Sequence, residues 1–275
     1  MHARLFGREV LLSISFKAKD MNKDQRSIAN DEFLQELFLK HEDISKCFGS
    51  LSKLAQHLDE QVVITGSIAT GWHLLKGGRR FEKRRLNDID TVAVTGLSII
   101  HPSLSKDFLI NHFHPYREKG KVLLQLVDEE HATRMEIFTP VSDSLAERLV
   151  DCAIGDLPCR IVSAEDCLAK LLSIIYSVIE GRPVDPKYVE QLDLLSTVVD
   201  RTVIRKVWGD YRKENQHTDF DDATEAIKLS IAANPNLLQA TSYCQDINFV
   251  CEWCYESELF PIASRSKIYE ILGYV

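Results

Sequence analysis

Three acidic residues within short apolar runs are the strongest candidates for chemistry in this sequence. Asp88 and Asp90 stand two residues apart around the start of the run Ile89–Val94, and Glu136 lies within Thr133–Phe138. Side chains at positions i and i+2 of a strand project from the same face, so the two aspartates should point together. Carboxylate oxygens suit Mg²⁺, which is usually bound by one or two carboxylates together with substrate phosphates. The pattern therefore predicts phosphoryl or nucleotidyl transfer, with two ions clamping the attacking and leaving oxygens.

Each of these acids has an alternative interpretation. Asp88 and Asp90 could lie in a solvated loop beside a strand, but Asp90 falls inside an apolar, β-branched run, where an acid without a partner is disfavoured. A glutamate on an edge strand commonly faces water. The order of Glu136 in the chain, rather than its charge, favours a place for it in the site.

A glycine and a serine precede the acids and suit a phosphate. The apolar run Gln61–Thr65 predicts a strand that ends at Gly66 and Ser67, and Ile68–Leu75 predicts a helix. A glycine allows close approach of the backbone to a ligand, and a serine at a helix N-terminus offers N–H and hydroxyl donors.

This succession of strand, Gly-Ser, helix and then Asp-x-Asp on a strand resembles the nucleotidyltransferase superfold of DNA polymerase β and kanamycin nucleotidyltransferase. The second half of the chain is similar to AbiEii-like abortive-infection nucleotidyltransferases, in which one helix carries a Lys-Leu pair and a later one an Asp-Leu pair. Lys170-Leu171 and Asp193-Leu194 stand in those places. The family usually has a basic residue and an aspartate just before the second pair, where this chain has Val189-Glu190.

The resemblance implies Mg²⁺-dependent transfer of a nucleoside monophosphate from an NTP to a hydroxyl, with release of pyrophosphate. Asp193 would act as a general base on the acceptor or would pair with Lys170, and Glu136 would bind a metal or take the acceptor proton. The implied catalytic residues are Asp88, Asp90, Glu136 and Asp193, of which the first three bind metal, and the implied nucleotide-binding residues are Gly66, Ser67, Arg85 and Lys170. The acceptor stays open between a small molecule such as a drug, an RNA and a protein. Two alternatives also stay open: a toxin-like enzyme that modifies tRNA, and a non-catalytic nucleotide-sensing or protein-binding module.

A basic stretch lies between the Gly-Ser turn and the aspartates. It contains one acid, Glu82, among the basic residues Lys76, Arg79, Arg80, Lys83, Arg84 and Arg85. Such a run is usually a solvated face. In an otherwise acidic chain it could also attract a triphosphate or a nucleic-acid acceptor.

The cysteines and histidines give weaker signals. Cys251 and Cys254, with Cys244 upstream, hint at zinc, but structural sites usually need four ligands and His217 is a distant fourth, so buried thiols are favoured. His73 is expected in the core or near the nucleotide. His112 and His114 are expected at the surface or in structural roles.

The elements that must position these residues fall into two halves. Residues 61–140 predict a mixed sheet with one or two helices, with Lys121–Val127 and Thr133–Phe138 as strands around an acidic hairpin loop and Phe108–Phe113 as a strand or a short helix. Residues 141–240 predict helices. These predicted helices span Ser142–Val150, Ala164–Glu180, Pro186–Val199, Val203–Glu214 and Asp221–Ala233, and earlier ones begin near Asp31 and span Ser50–Glu60.

The sequence thus predicts an α/β (α+β) protein: a short mixed-sheet core followed by a helical domain, with the site in the cleft between them. The predicted division is a flexible leader over residues 1–29, within which Met21 is an alternative start, a core over 30–140 and a helical C-terminal domain over 141–275.

Composition excludes several other classes of protein. Of the 275 residues 45% are hydrophobic and 27% charged, which is ordinary for a globular chain and argues against disorder. The net charge of −8 argues against nucleic-acid binding by the whole surface. No apolar run approaches the ~20 residues of a membrane-spanning helix. Val10–Phe16 is not followed by a small-residue cleavage site, and the seven cysteines are an odd number in a long chain, so a cytoplasmic protein is expected.

Overall fold

A computed structural model describes residues 33–115, 118–240, 254–255 and 257–274. The predicted leader, and the helix start expected near Asp31, lie outside these residues. The described chain contains a mixed seven-stranded sheet flanked by helices, which confirms the predicted α/β class.

The sheet has the strand order β3-β4-β5-β2-β1-β7-β6. Its strands are β1 (Val63–Ile64), β2 (Asp88–Val92), β3 (Leu109–Phe113), β4 (Val122–Asp128), β5 (Thr133–Phe138), β6 (Val150–Ile154) and β7 (Leu157–Ile161). β2 runs parallel to β5, whereas β4 pairs antiparallel with both β3 and β5. The central β2–β5 pair carries all three predicted carboxylates.

Most of the α-helices that the structure describes lie in the second half of the chain. The helices are α1 (His41–Ala55), α2 (Gly66–Lys76), α3 (Leu104–Asp107), α4 (Ala164–Ile175), α5 (Pro186–Leu195), α6 (Arg201–Tyr211), α7 (Phe220–Ala233) and α8 (Arg265–Leu272). Single 3₁₀ segments cover Gly96–Ile99, Asp143–Arg148, Tyr176–Glu180 and Pro235–Leu237. Residues 33–37 are also helical.

The unit β1–α2–β2 positions the start of the site. Val63 and Ile64 are buried and form a very short strand. The helix predicted over Ile68–Leu75 is α2, which begins two residues earlier, at Gly66, and has Gly77 as its C-cap. The backbone N–H of Thr65 donates to the carbonyl of Asp90 at 2.9 Å. This bond fixes the Gly-Ser turn beside the second aspartate.

The prediction that residues 141–240 are all helical is wrong at its beginning. Ser142–Val150 contains only a 3₁₀ segment, and the next residues form the hairpin of β6 and β7, whose second strand pairs parallel with β1. The sheet therefore continues past residue 140. The division of the chain into two domains at that residue stays a prediction.

Among the elements of the first half, one predicted helix needs correction. The helix expected over Ser50–Glu60 is the end of α1, which begins nine residues earlier and buries Ile44, Cys47, Leu51 and Leu54 along one face. Of the two alternatives for Phe108–Phe113, the structure has the strand, β3, which begins at Leu109 directly after the C-cap of the short helix α3. The hairpin loop between β4 and β5 lies where it was predicted.

The helix α4 joins the helices of the second half to those of the first. α4 packs against α2, α5 and α6, and its N-cap is Ser163, whose hydroxyl accepts from the N–H of Asp166 at 3.0 Å. One continuous cluster of buried apolar residues extends from α1 through the sheet to α7. Among the described residues, no helix combines the length and apolarity that crossing a membrane requires.

Candidate metal and nucleotide site

Three carboxylates converge on one face of the β2–β5 pair. Asp90 lies directly beside Glu136 in the parallel register, and Asp88 lies beside Arg134. Oxygen atoms from Asp88, Asp90 and Glu136 all lie within 4.8 Å of one another. The alternation of side chains along β2 therefore brings both aspartates to one point, as the sequence predicts.

Two polar neighbours orient the third carboxylate. The side-chain amide of Gln125, on β4, donates to Glu136 Oε1 at 2.7 Å. Arg134 Nη2 lies 3.3 Å from both Asp88 Oδ2 and Glu136 Oε1, and the arginine side chain is almost fully buried. Glu136 is thus held facing the aspartates rather than solvent.

Burial and crowding oppose ionisation of these acids. The pKa of Asp90 is raised to about 7, first by burial, against the attraction of Lys170, and then by the charges of Asp88 and Glu136. Burial is also the main reason why the pKa of Glu136 is raised. A bound divalent cation would relieve both effects, and a donor set of three carboxylates fits Mg²⁺.

Gly66 is required beside Asp90. Its φ is +67°, a conformation that residues with side chains rarely adopt. A Cβ atom at this position would lie only 2.7 Å from Asp90 Cγ and would overlap the carboxylate itself. The glycine therefore makes room for the Asp90 carboxylate, in addition to any role toward a phosphate.

The carboxylates stand where two hollows meet. The first hollow is lined by Gly66, Ser67, Arg84, Arg85, Asp88, Asp90, Lys170, Lys187, Tyr188 and Gln191, together with apolar side chains. The second is a wider groove that also reaches Asp88, Asp90 and Lys170 and adds Glu136 and several basic residues. Seven of the eight predicted site residues line one or both hollows.

Lys170 lies between the two hollows. It is carried by α4, and its ammonium group lies 4.2 Å from the centroid of the Phe138 ring. Its positive charge partly offsets the rise in the pKa of Asp90 and of Glu136 that burial causes. This position fits the predicted contact with nucleotide phosphates.

Asp193 lies elsewhere, so its predicted place in the site needs correction. It is exposed on α5 and lines a separate hollow with Ser196, Arg201 and Asp221. The buried face of α5 that reaches the first hollow carries Gln191. At 100° per residue, a side chain two positions further along a helix points to nearly the opposite side.

The basic stretch divides in two. Arg84 and Arg85 line the first hollow, whereas Arg79 and Arg80 are exposed and line neither hollow. The backbone of Arg84 holds its segment against residues 37–39: its N–H donates to the Leu37 carbonyl and its carbonyl accepts from the Leu39 N–H, both at 2.9 Å.

Sequence reasoning missed four residues around the carboxylates. Arg134 alternates with Glu136 along β5, a signal that the sequence contains. On α5, Lys187 and Tyr188 lie one turn before Gln191. All three line the first hollow with Asp88 and Asp90, which depends on helix packing that the sequence does not reveal.

The predicted cysteine and histidine residues fall in different places. Cys244 and Cys251 lie outside the described residues. His217 hydrogen-bonds with Tyr176, and His73 lies 2.7 Å from the Val162 carbonyl, away from both hollows. The side chains of His112, His114 and Cys254 meet, with ligand atoms within 4.8 Å of one another.

No protein-family model and no curated protein matches the sequence. Among solved structures, the chain is similar to an antigenic nucleotidyltransferase-like protein from Paracoccidioides brasiliensis, with 14% identity and a TM-score of 0.32. The match covers 78% of this chain and 90% of that one. Similarity at this level identifies neither a family nor an activity.

Proposed function

We propose that this chain is a metal-dependent nucleotidyltransferase that moves a nucleoside monophosphate from an NTP to a hydroxyl acceptor. The observation that carries the proposal is the convergence of Asp88, Asp90 and Glu136 at the N-terminus of the helix that begins with Gly66. These three carboxylates would hold one or two Mg²⁺ ions. When bound there, Mg²⁺ would neutralise the negative charge that develops on the phosphate oxygens during transfer.

The first hollow suits the NTP. Ser67 lies in the first turn of α2, whose free backbone N–H groups attract phosphate, and Arg84, Arg85 and Lys170 supply positive charge nearby. Gln191 Nε2 is buried and makes no hydrogen bond with any described residue. A buried donor of this kind favours a ligand that accepts from it, such as the base or the sugar of a nucleotide.

The reaction would join the acceptor to the α-phosphorus. The acceptor oxygen attacks that phosphorus, and the bond from phosphorus to the oxygen that bridges to the β-phosphate breaks. Pyrophosphate leaves with the bonding electrons, and the hydroxyl proton passes to a base. Glu136 is a candidate for that base, because it lines the groove beside Asp88 and Asp90.

The second groove suits the acceptor. Lys121, Arg212 and Lys213 line it together with Asp88, Asp90 and Glu136, and none of the three basic residues forms an ion pair with another described residue. These charges favour an acceptor with negative groups and leave its class open between RNA, including tRNA, a small molecule and a protein.

Pyrophosphate release measured with each of the four NTPs, in Mg²⁺ and with candidate acceptors, tests the proposal. Asp90→Asn should reduce turnover at least a hundredfold. Asp193→Asn is the matched control, because it makes the same change on an acid that lies off the site, and it should retain activity. Absence of NTP binding and of pyrophosphate release in the parent protein would contradict the proposal.

One observation favours the alternative of a non-catalytic nucleotide-sensing module. Arg134 places a buried positive charge 3.3 Å from Asp88 and Glu136, where it competes with a cation for the same oxygens. A sensing module would bind NTP in calorimetry without releasing pyrophosphate, in the parent and in Asp90→Asn alike. Measuring pyrophosphate release, rather than NTP binding, therefore distinguishes the transferase from the sensing module.

A further inference from the structure

We propose that His112, His114 and Cys254 bind a zinc ion that fastens the C-terminal segment to the edge of the sheet. Ligand atoms from the three residues lie within 4.8 Å of one another, and Cys254 Sγ lies 3.2 Å from His112 Nδ1. The two imidazole ring centroids are 4.0 Å apart. His114 is 8% exposed and the other two side chains are partly buried, so the cluster lies beneath the surface.

The backbone holds these side chains together without a metal. His112 belongs to the edge strand β3 and His114 follows that strand directly, two residues on. The C-terminal segment runs beside β3: the N–H of Tyr255 donates to the Phe113 carbonyl at 2.9 Å, and that of Ala263 donates to the Ile110 carbonyl at 2.8 Å. The rings of Tyr255 and Phe260 pack against Phe113. Cys254 is therefore presented to the two histidines by backbone pairing.

The donor set matches zinc rather than magnesium. Zinc binds imidazole nitrogen at about 2.0–2.1 Å and thiolate sulfur at about 2.3 Å, so its ligand atoms lie roughly 3–4 Å apart. The observed separation of 3.2 Å between sulfur and nitrogen falls in this range. Binding would release the thiol proton of Cys254, because the thiolate is the ligand.

The sequence adds a second observation. Cys251 precedes Cys254 by three residues, which is the usual spacing of paired zinc thiolates. The proposal itself rests on His112, His114 and Cys254. Zinc in a structural site usually has four ligands, so one coordination position remains for a further ligand. This site is separate from the three carboxylates, because β4 and β5 lie between β3 and β2 in the sheet.

Cobalt titration of the full-length, reduced and chelator-stripped protein tests this site directly. We expect Co²⁺ to produce a thiolate-to-metal charge-transfer absorption, and one equivalent of Zn²⁺ to abolish it. Cys254→Ser and His112→Gln should each weaken the absorption and lower metal affinity at least tenfold. Zn²⁺ should raise the Tm of the parent protein and raise that of Cys254→Ser much less.

Matched controls separate this site from the rest of the molecule. Cys152→Ser removes another partly buried thiol and His101→Gln another histidine, and both should bind Co²⁺ as the parent does. Asp90→Asn, which alters the carboxylate site, should keep the thiolate absorption. The result for zinc is therefore independent of whether the protein is a transferase. Absence of the absorption in the parent, or equal metal affinity in the parent and Cys254→Ser, would overturn the proposal. Where Cys254→Ser does not fold, the same comparison with His112→Gln decides.

Discussion

Gly66 illustrates how closely one backbone conformation and one side chain of the candidate site depend on each other. Its positive φ already disfavours any other residue, and the space that a Cβ would take is filled by the Asp90 carboxylate. A substitution here must move either the turn or the aspartate. The consequence for activity should therefore exceed the consequence for stability.

Gly66→Ala should lower NTP turnover at least tenfold and destabilise the fold by about 1–2 kcal/mol, the cost of a left-handed conformation for a residue with a Cβ. Gly78→Ala is the matched control, because Gly78 has the same φ of +67° and nothing lies within 4 Å of the place that its methyl group would take. It should show a similar loss of stability in urea unfolding and nearly unchanged turnover. Equal turnover in the two variants would contradict the link between Gly66 and Asp90.

Asp90 should also give the metal-free protein an unusual pH dependence. Its folded pKa of about 7 lies above its ordinary value of 3.8, so the folded state holds more protons than the unfolded chain between these values. Stability should therefore fall as pH rises from about 4 to about 7. Asp90→Asn lacks this titration. In the presence of a chelator, the Tm of Asp90→Asn relative to that of the parent should therefore rise with pH across this range.

Thermal unfolding of both proteins between pH 5 and pH 8 checks this expectation. Added Mg²⁺ should stabilise the parent most at the upper end, where Asp90 is ionised, and should stabilise Asp90→Asn much less. A difference in Tm that stays constant across the range would show that Asp90 ionises normally.

The sequence predicts the residues of this site well where the reasoning depends on local geometry. The alternation along β2 identifies Asp88 and Asp90 as neighbours, and the Gly-Ser turn follows directly from the strand before it. Arg134 was missed because its importance comes from the parallel register of β2 and β5. Asp193 was misassigned because only the packing of α5 shows that the Gln191 side, and not the Asp193 side, faces the hollow.

At the scale of elements, the hairpin of β6 and β7 shows what local patterns do not reveal. Pro158 cannot donate to a ladder and argues against a strand in the sequence. In the structure Pro158 is tolerated because β1 pairs only with Arg160 and Ile161 of β7. Pro158 therefore has no partner strand on the β1 side of β7. β1 and β7 pair through residues nearly 100 positions apart, such as Val63 and Arg160. This pairing is a property of the whole sheet and cannot be predicted from either strand alone.

A buried acid ties α1 to the hairpin of β4 and β5. Asp128 is fully buried and accepts hydrogen bonds from Ser50 and Lys53 on α1, both at 2.9 Å. It also pairs with His131 Nδ1 at 2.7 Å. Burial opposes ionisation, but the hydrogen bonds from Lys53, His131 and Ser50 outweigh it and hold the pKa of Asp128 below its ordinary value.

Asp128→Asn should therefore destabilise the protein by about 1–3 kcal/mol, because Ser50, Lys53 and His131 lose a carboxylate charge and one of its two acceptor oxygens. The contribution is present above the ordinary pKa of an aspartate and disappears as pH falls through the lower folded value, so the difference from the parent should shrink in acid. Urea unfolding at pH 7 and at pH 3 measures this.

Asp143→Asn is the control for that measurement. Asp143 pairs with Lys119 at 2.9 Å on the surface, with its side chain 93% exposed. Its loss should change stability by less than about 0.5 kcal/mol. If both variants lost equal stability, the proposed link between α1 and the hairpin would be wrong.

For the whole molecule, the distribution of charge matters more than its sum. The chain carries a net charge of −8, yet positive side chains gather around both hollows where the three acids meet. The basic stretch that stands out in the sequence contributes only part of this arrangement. Arg84 and Arg85 reach the first hollow, and the charges around the groove come from segments far apart in the chain, which no local pattern could indicate.

This division of the basic stretch gives a sharp test of how an NTP is held. Reversing Arg84 and Arg85 together to glutamate should lower NTP affinity at least tenfold, because two positive charges beside the triphosphate become negative. Reversing Arg79 and Arg80 changes the net charge of the molecule equally, but at exposed positions outside both hollows, and should alter affinity less than threefold. Calorimetric titration at two salt concentrations compares them: the deficit of the Arg84/Arg85 variant should narrow at higher ionic strength, where screening shortens the reach of each charge. Equal losses in the two double variants would mean that the long-range field of the molecule, rather than contact within the hollow, attracts the nucleotide.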